Sequence, residues 1–129
     1  MTSPFNFQPL ALPVALVPLR REVRAFLRDA AGAWSGRDIG HSWTGFNRDF
    51  SLEVGRRGWI GMTWPQQYGG HERSGLERYV VVEEMLAAGA PVGAHWFGDR
   101  QSGPLLLRMG SQAQRQRFLP LIAQGKAAF

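Results

Sequence analysis

Few side chains in this sequence are spaced for chemistry. His95 and Asp99 stand four residues apart, which on a helix places an imidazole and a carboxylate on one face, where they could share a metal ion or a proton. Two ligands make only half of a structural zinc site, so the expectation is a hydrogen-bonded pair that serves the fold, with no metal ligand assigned. Glu83 and Glu84 are neighbours; on a helix they point about 100 degrees apart and cannot face each other as acid and base. Both are expected to be solvated or ion-paired. Arg20, Arg24 and Arg28 form a stripe that could follow phosphates. No nucleic-acid motif accompanies them, and a solvent-facing or interface-facing helix surface is the expected role. The aromatic residues at 43, 46, 50, 59, 64, 68, 96 and 97 are expected mostly in the core. Dinucleotide, P-loop, zincin and serine-hydrolase motifs are all absent from the sequence.

Composition bounds what can position these groups. A chain of 129 residues predicts a single domain with room for a core. With 44% apolar and 19% charged residues it is neither a disordered polyelectrolyte nor a membrane bundle. Lys126 is the only lysine among fifteen basic residues, and the net charge is +5. Arginine forks onto carboxylates and phosphates, which keeps acidic partners open. The absence of cysteine excludes disulfides, thiolate metal sites and cysteine nucleophiles. The longest apolar run, Leu10 to Leu19, is interrupted by Pro13 and Pro18, and it is half of the roughly 20 residues a membrane span requires. No signal peptide is apparent, and a cytoplasmic location is expected.

The positioning elements read as helices. Residues 1–18 carry prolines at 4, 9, 13 and 18 and predict an irregular arm. Leu19, Val23, Phe26, Leu27 and Ala30 then form one helical stripe ending at Gly32. Residues 33–45 predict a loop holding at most a short turn. Phe46, Phe50 and Val54 predict a second helix closed by a left-handed Gly58. From Gly58 to Gly70 the glycines and Pro65 forbid regular helix, and Trp59, Trp64 and Tyr68 should pin an ordered loop. Ser74 and Glu77 make a capping box that opens a third helix running to Gly89. Pro91 can open a fourth, which Gly103-Pro104 should break or kink. A second box, Ser111 with Gln114, opens a last helix to Gly125, with Pro120 expected to bend it. Residues 126–129 look like the start of an extended segment.

Three segments taken together carry a resemblance. Leu19-Arg-Arg-Glu-Val-Arg-Ala-Phe-Leu27, then Gly55 to Gly70 with its Trp64-Pro65-Gln-Gln-Tyr68-Gly69-Gly70 core, then Gly110 to Gly125 with Phe118-Leu-Pro-Leu-Ile-Ala-Gln-Gly125, resemble in order the amino-terminal helical domain of acyl-CoA dehydrogenases. The resemblance covers residues 19–125. It implies an all-α fold, an orthogonal or up-down bundle of about five to six helices, in which Trp64, Pro65, Tyr68, Gly69 and Gly70 are structural. It also implies an FAD-dependent enzyme that dehydrogenates the alpha and beta carbons of an acyl-CoA thioester, the flavin supplying the redox chemistry. In such enzymes flavin and base are held mainly by a middle beta domain and a second helical domain. This sequence stops where the beta domain would begin, so no catalytic and no cofactor-binding residue is assigned, and the chain by itself is expected to be inactive. By position in the family, Gly93, Ala94 and Phe97 are candidates for lining the acyl tail, with core packing the competing role for Phe97. The implied partners are acyl-CoA and either a second copy or a complementary acyl-CoA dehydrogenase polypeptide. From a different class comes the alternative of a non-catalytic interaction module whose arginine face holds an acidic protein or nucleic acid, the latter disfavoured.

Overall fold

A computed structural model describes residues 11–127. Among them the chain is helical without strands, in the order α1 (Val17–Ala31), α2 (Gly36–Gly40), α3 (Arg48–Arg56), α4 (Gly75–Ala87), α5 (Gly93–Phe97), α6 (Gly103–Met109) and α7 (Gln112–Ala123). A π turn over Gly98–Ser102 joins α5 to α6, so the seven segments act as six helical units. The expected all-α bundle is what forms.

Local chemistry sets most boundaries. Ser74 and Ser111 each accept the N–H three residues on, while Glu77 and Gln114 reach back to complete the capping boxes. Helices α3, α4 and α7 end alike. The N–H groups of Gly58 and Trp59 turn back to the carbonyls of Gly55 and Val54, those of Gly89 and Ala90 to Leu86 and Met85, and those of Gly125 and Lys126 to Ile122 and Leu121. In each case the glycine adopts a positive φ, between 68° and 70°, where a side chain would be strained.

Burial joins the units. Leu19, Val23 and Leu27 of α1 pack with Val80, Val81 and Met85 of α4, and with Phe50 and Val54 of α3 and Leu119 and Ile122 of α7 they form one core. Between α3 and α4, Trp59, Ile60, Met62, Trp64 and Tyr68 are buried, so this loop is part of the core as its aromatics predicted. Outside that core, Arg20 pairs with Glu83 at 2.5 Å and with Glu84 at 3.1 Å, and Arg24 reaches Glu84 at 2.6 Å. Arg20 and Arg24 of the α1 stripe are therefore engaged by α4.

Several expectations are corrected. The first helix begins at Val17, after a 3-10 turn over Val14–Leu16, because Pro18 occupies its first turn, where no N–H is needed; residues 1–10 of the expected arm lie outside the described residues. The 33–45 stretch contains α2, opened by a capping box of Ser35 with Asp38. Phe46 lies outside α3, since Asn47 caps that helix by accepting the Phe50 N–H, and it is 62% exposed in an isolated bridge with Val92. Gly103-Pro104 does not break the helical run. The Gly103 N–H donates to the Gly98 carbonyl, opening one wide turn, so Pro104 falls in the first turn of α6. Of the segment expected to start at residue 126, Lys126 and Ala127 donate their N–H groups to the Leu121 carbonyl, and Ala128 and Phe129 lie outside the described residues.

Candidate functional site

The loop at residues 42–45 fixes where α5 starts. Val92 and Gly93 donate their N–H groups to the carbonyls of Ser42 and Gly45, each at 3.0 Å, and the Ser42 hydroxyl donates to the Ala90 carbonyl at 2.5 Å. This seam leaves Gly93 no space, because a Cβ there would lie 2.9 to 3.0 Å from the backbone of Thr44 and Gly45. Of the three expected tail contacts, Gly93 is thus packed against backbone, Ala94 lines a pocket and Phe97 stands 50% exposed at the surface. Phe97 is not a core residue.

The pocket beside Ala94 lies between α3, α5 and the end of α7, with a volume of about 110 Å³. Its polar floor is a pair missed by sequence reasoning. His95 Nε2 and Ser51 Oγ share a hydrogen bond of 2.9 Å, and the imidazole stacks on Phe50 with ring centroids 5.6 Å apart. Burial pulls the His95 imidazole down to about 4, so it is neutral at pH 7. Its Nδ1 is buried without a partner. Arg48 and Lys126 stand at the mouth and no carboxylate lines the pocket. Sequence alone offered one signal, the placement of Ser51 one residue after the core position Phe50.

Asp99 does not bond to His95. Its carboxylate accepts the Gly61 N–H at 2.7 Å and lies 3.7 Å from Arg100, which ties α5 and the π turn to the aromatic loop. Burial raises its pKa, while the Gly61 N–H and the charges of Arg78 and Arg100 oppose that shift. The His95 and Asp99 pair is thus two separate anchors, and no cluster of three or more potential metal-ligating side chains exists among the described residues.

The Trp64 to Gly70 motif binds the same elements together. Trp64 is 2% exposed, and a Cβ on Gly103 would collide with its indole. Pro65 precedes a 3-10 turn over Gln66–Tyr68 that Gly69 closes with φ 83°. The Tyr68 hydroxyl donates to Gln112 Oε1 at 2.8 Å. Gly70 sits where any Cβ would meet the Trp64 backbone.

No carboxylate here is placed as a general base. Glu83 and Glu84 are engaged by Arg20 and Arg24, and Glu77 by Ser74 and Arg73. The pocket of about 110 Å³ is also far below the roughly 300–1,000 Å³ that encloses a drug-sized ligand. The pocket does not fit a flavin dinucleotide, and we derive no step through one.

Comparisons agree with this architecture. The family model described as acyl-CoA dehydrogenase, N-terminal domain, matches residues 17–126. Acyl-CoA dehydrogenase FadE26 of Mycobacterium tuberculosis is 31% identical over 120 residues, spanning 86% of this chain and 28% of that protein. The solved Tcur3481-Tcur3483 steroid ACAD superimposes with a TM-score of 0.76 at 33% identity, covering 94% of this chain and 32% of that one. The ChsE4-ChsE5 complex from Mycobacterium tuberculosis does so with a TM-score of 0.72 at 27% identity, covering 92% and 30%. This chain therefore spans about a third or less of the relatives it matches. The match of that family model across residues 17–126 shows that the chain belongs to the acyl-CoA dehydrogenase family, within its N-terminal domain.

Proposed function

We propose that this chain serves as the helical wall of an FAD-dependent acyl-CoA dehydrogenase, where it covers part of the acyl tail and packs against further polypeptide that supplies base and flavin. The observation that carries the reading is the set of exposed apolar side chains on α5, α6 and α7. Phe97, Leu105, Met109 and Leu121 are 50%, 62%, 72% and 40% exposed. Leu105, Leu106 and Phe118 line a hollow of about 280 Å³ on that side. Apolar area of this kind marks an interface. Ala94 and Phe97, one turn apart on α5, are the residues proposed to meet the tail.

Two of the matched structures are described by paired names, Tcur3481-Tcur3483 and the ChsE4-ChsE5 complex, which supports a complementary acyl-CoA dehydrogenase polypeptide as the partner here. A bulky acyl group is consistent with the steroid description of the first of them and with the small side chain of Ala94. An arginine-face module lacks support, since Arg20 and Arg24 are spent on Glu83 and Glu84. The chain alone is expected to self-associate in sedimentation, to bind a hydrophobic dye, to carry no flavin absorbance and to leave acyl-CoA unoxidised, and the dye unreduced, in a dye-linked assay. A stable monomer that binds no dye would overturn the reading.

A further inference from the structure

Unlike the apolar surface, the pocket between α3, α5 and the end of α7 has a chemistry of one kind. We propose that it is a subsite for a small carboxylate, held by the Ser51 and His95 pair at its floor and by Arg48 and Lys126 at its mouth. Every polar side chain lining it can donate. If the His95 Nε2–H donates to Ser51, the serine O–H is unspent; if serine donates to Nε2, the Nδ1–H is unspent. In the first arrangement the pair, bonded at 2.9 Å, keeps the serine O–H, which lines the pocket, for a ligand.

Charge then selects among acceptors. Arg48 and Lys126 have no ion-pair or hydrogen-bond partner among the described residues, whereas Arg20, Arg24, Arg56, Arg57, Arg73 and Arg100 each have an acid nearby. Two unspent cations at one mouth, with no acid in the lining, favour an anion over a ketone or hydroxyl. Ile60 and Ile122 fill the remaining wall, and a volume of about 110 Å³ suits a carboxylate on a short hydrocarbon stub. The carboxylate could belong to a free acid or to the far end of an acyl chain. Only the second source rests on the function proposed above.

Titration of the 129-residue chain with butyrate, followed through the His95 ring nitrogen resonances, tests the subsite without flavin or turnover. A saturable shift is expected. The surface double variant R48Q/K126Q, which leaves the core intact, should weaken it about tenfold, equivalent to roughly 1.4 kcal/mol. Butanamide should bind more weakly than butyrate. No saturable shift, an equal response to butanamide, or an unchanged affinity in R48Q/K126Q would overturn the proposal. Glutaryl-CoA moving His95 where butyryl-CoA does not would assign the carboxylate to the acyl end, and butyrate moving it while neither thioester does would assign it to a free acid. An inactive or flavin-free chain would leave these outcomes unaffected, so the two readings fail separately.

Discussion

His95 should make this domain acid-sensitive in a way that one substitution removes. Its imidazole titrates near 4 in the folded chain because it is buried, against about 6.5 when the chain unfolds. Above pH 6.5 the ring is neutral in both states and contributes no pH dependence. As the pH falls below 6.5 the unfolded state takes up the proton first, and stability is lost progressively until about pH 4, where the folded ring also protonates. The full difference is about 3 kcal/mol, of which about 2 kcal/mol falls between pH 7 and pH 5. With a typical urea dependence this moves the unfolding midpoint down by roughly 1 M. Asp99 acts with the opposite sign. Burial raises its carboxyl above the usual range, so protonation at low pH relieves a penalty that is present near neutrality. His71 is also lowered by burial and adds to the His95 trend. The comparison that isolates His95 is therefore between the wild type and H95Q, which keeps a donor for Ser51 but cannot titrate. The separation between the urea midpoints at pH 7 and pH 5 should be smaller in H95Q than in the wild type by roughly 1 M. Parallel losses in the two proteins would refute the assignment of the burial penalty to this ring.

Three further outcomes follow from the packing. Replacing Glu84, whose side chain is 7% exposed between two arginines, by Gln should cost about 1–2 kcal/mol, while E22Q, at the 3.9 Å pair with Arg57, should leave thermal unfolding unchanged. The G103A variant forces a Cβ into the Trp64 indole and should lose about 1–3 kcal/mol with an altered near-UV dichroism of that tryptophan; an unshifted melting temperature would contradict the close packing. Removing the Ser111 hydroxyl with S111A should cost about 1 kcal/mol by chemical denaturation, because it accepts the Gln114 N–H at the start of α7.

Legibility in the sequence tracked how local the determining interaction is. Ser74 with Glu77, Ser111 with Gln114, and the glycines at 58, 89 and 125 act within six residues of chain, and the helix ends they predict are where the structure has them. The S-x-x-D box at Ser35 and Asp38 was equally local, and the surrounding Gly and Ser masked it. Phe46 followed the period of four, yet Asn47 decided the boundary, since a side-chain cap outweighs a helical spacing that buries nothing. Long-range pairings were not readable. His95 chose Ser51, 44 residues away, and Asp99 chose the Gly61 N–H, 38 residues away, whereas their spacing of four had suggested each other. Nor could the arginine stripe announce that Glu83 and Glu84 would receive it. The family-level reading rested on three segments together, the Trp64 to Gly70 motif being the most specific; in it Trp64 abuts Gly103, Gly70 abuts the Trp64 backbone and Tyr68 bonds Gln112.

The π turn at Gly98–Ser102 bears on how this wall could be retuned. Such a turn holds one residue more than an α-helical turn would, and it does so by rotating less per residue than the roughly 100 degrees of an α-helix. Excising a single residue between Gly98 and Ser102 would let the run close into ordinary helix with Leu105 and Met109 still facing nearly the same way, because the turn is completed in either form. The π turn is therefore a place where the run can hold five residues or four while α6 keeps the same side toward the core and the same side outward.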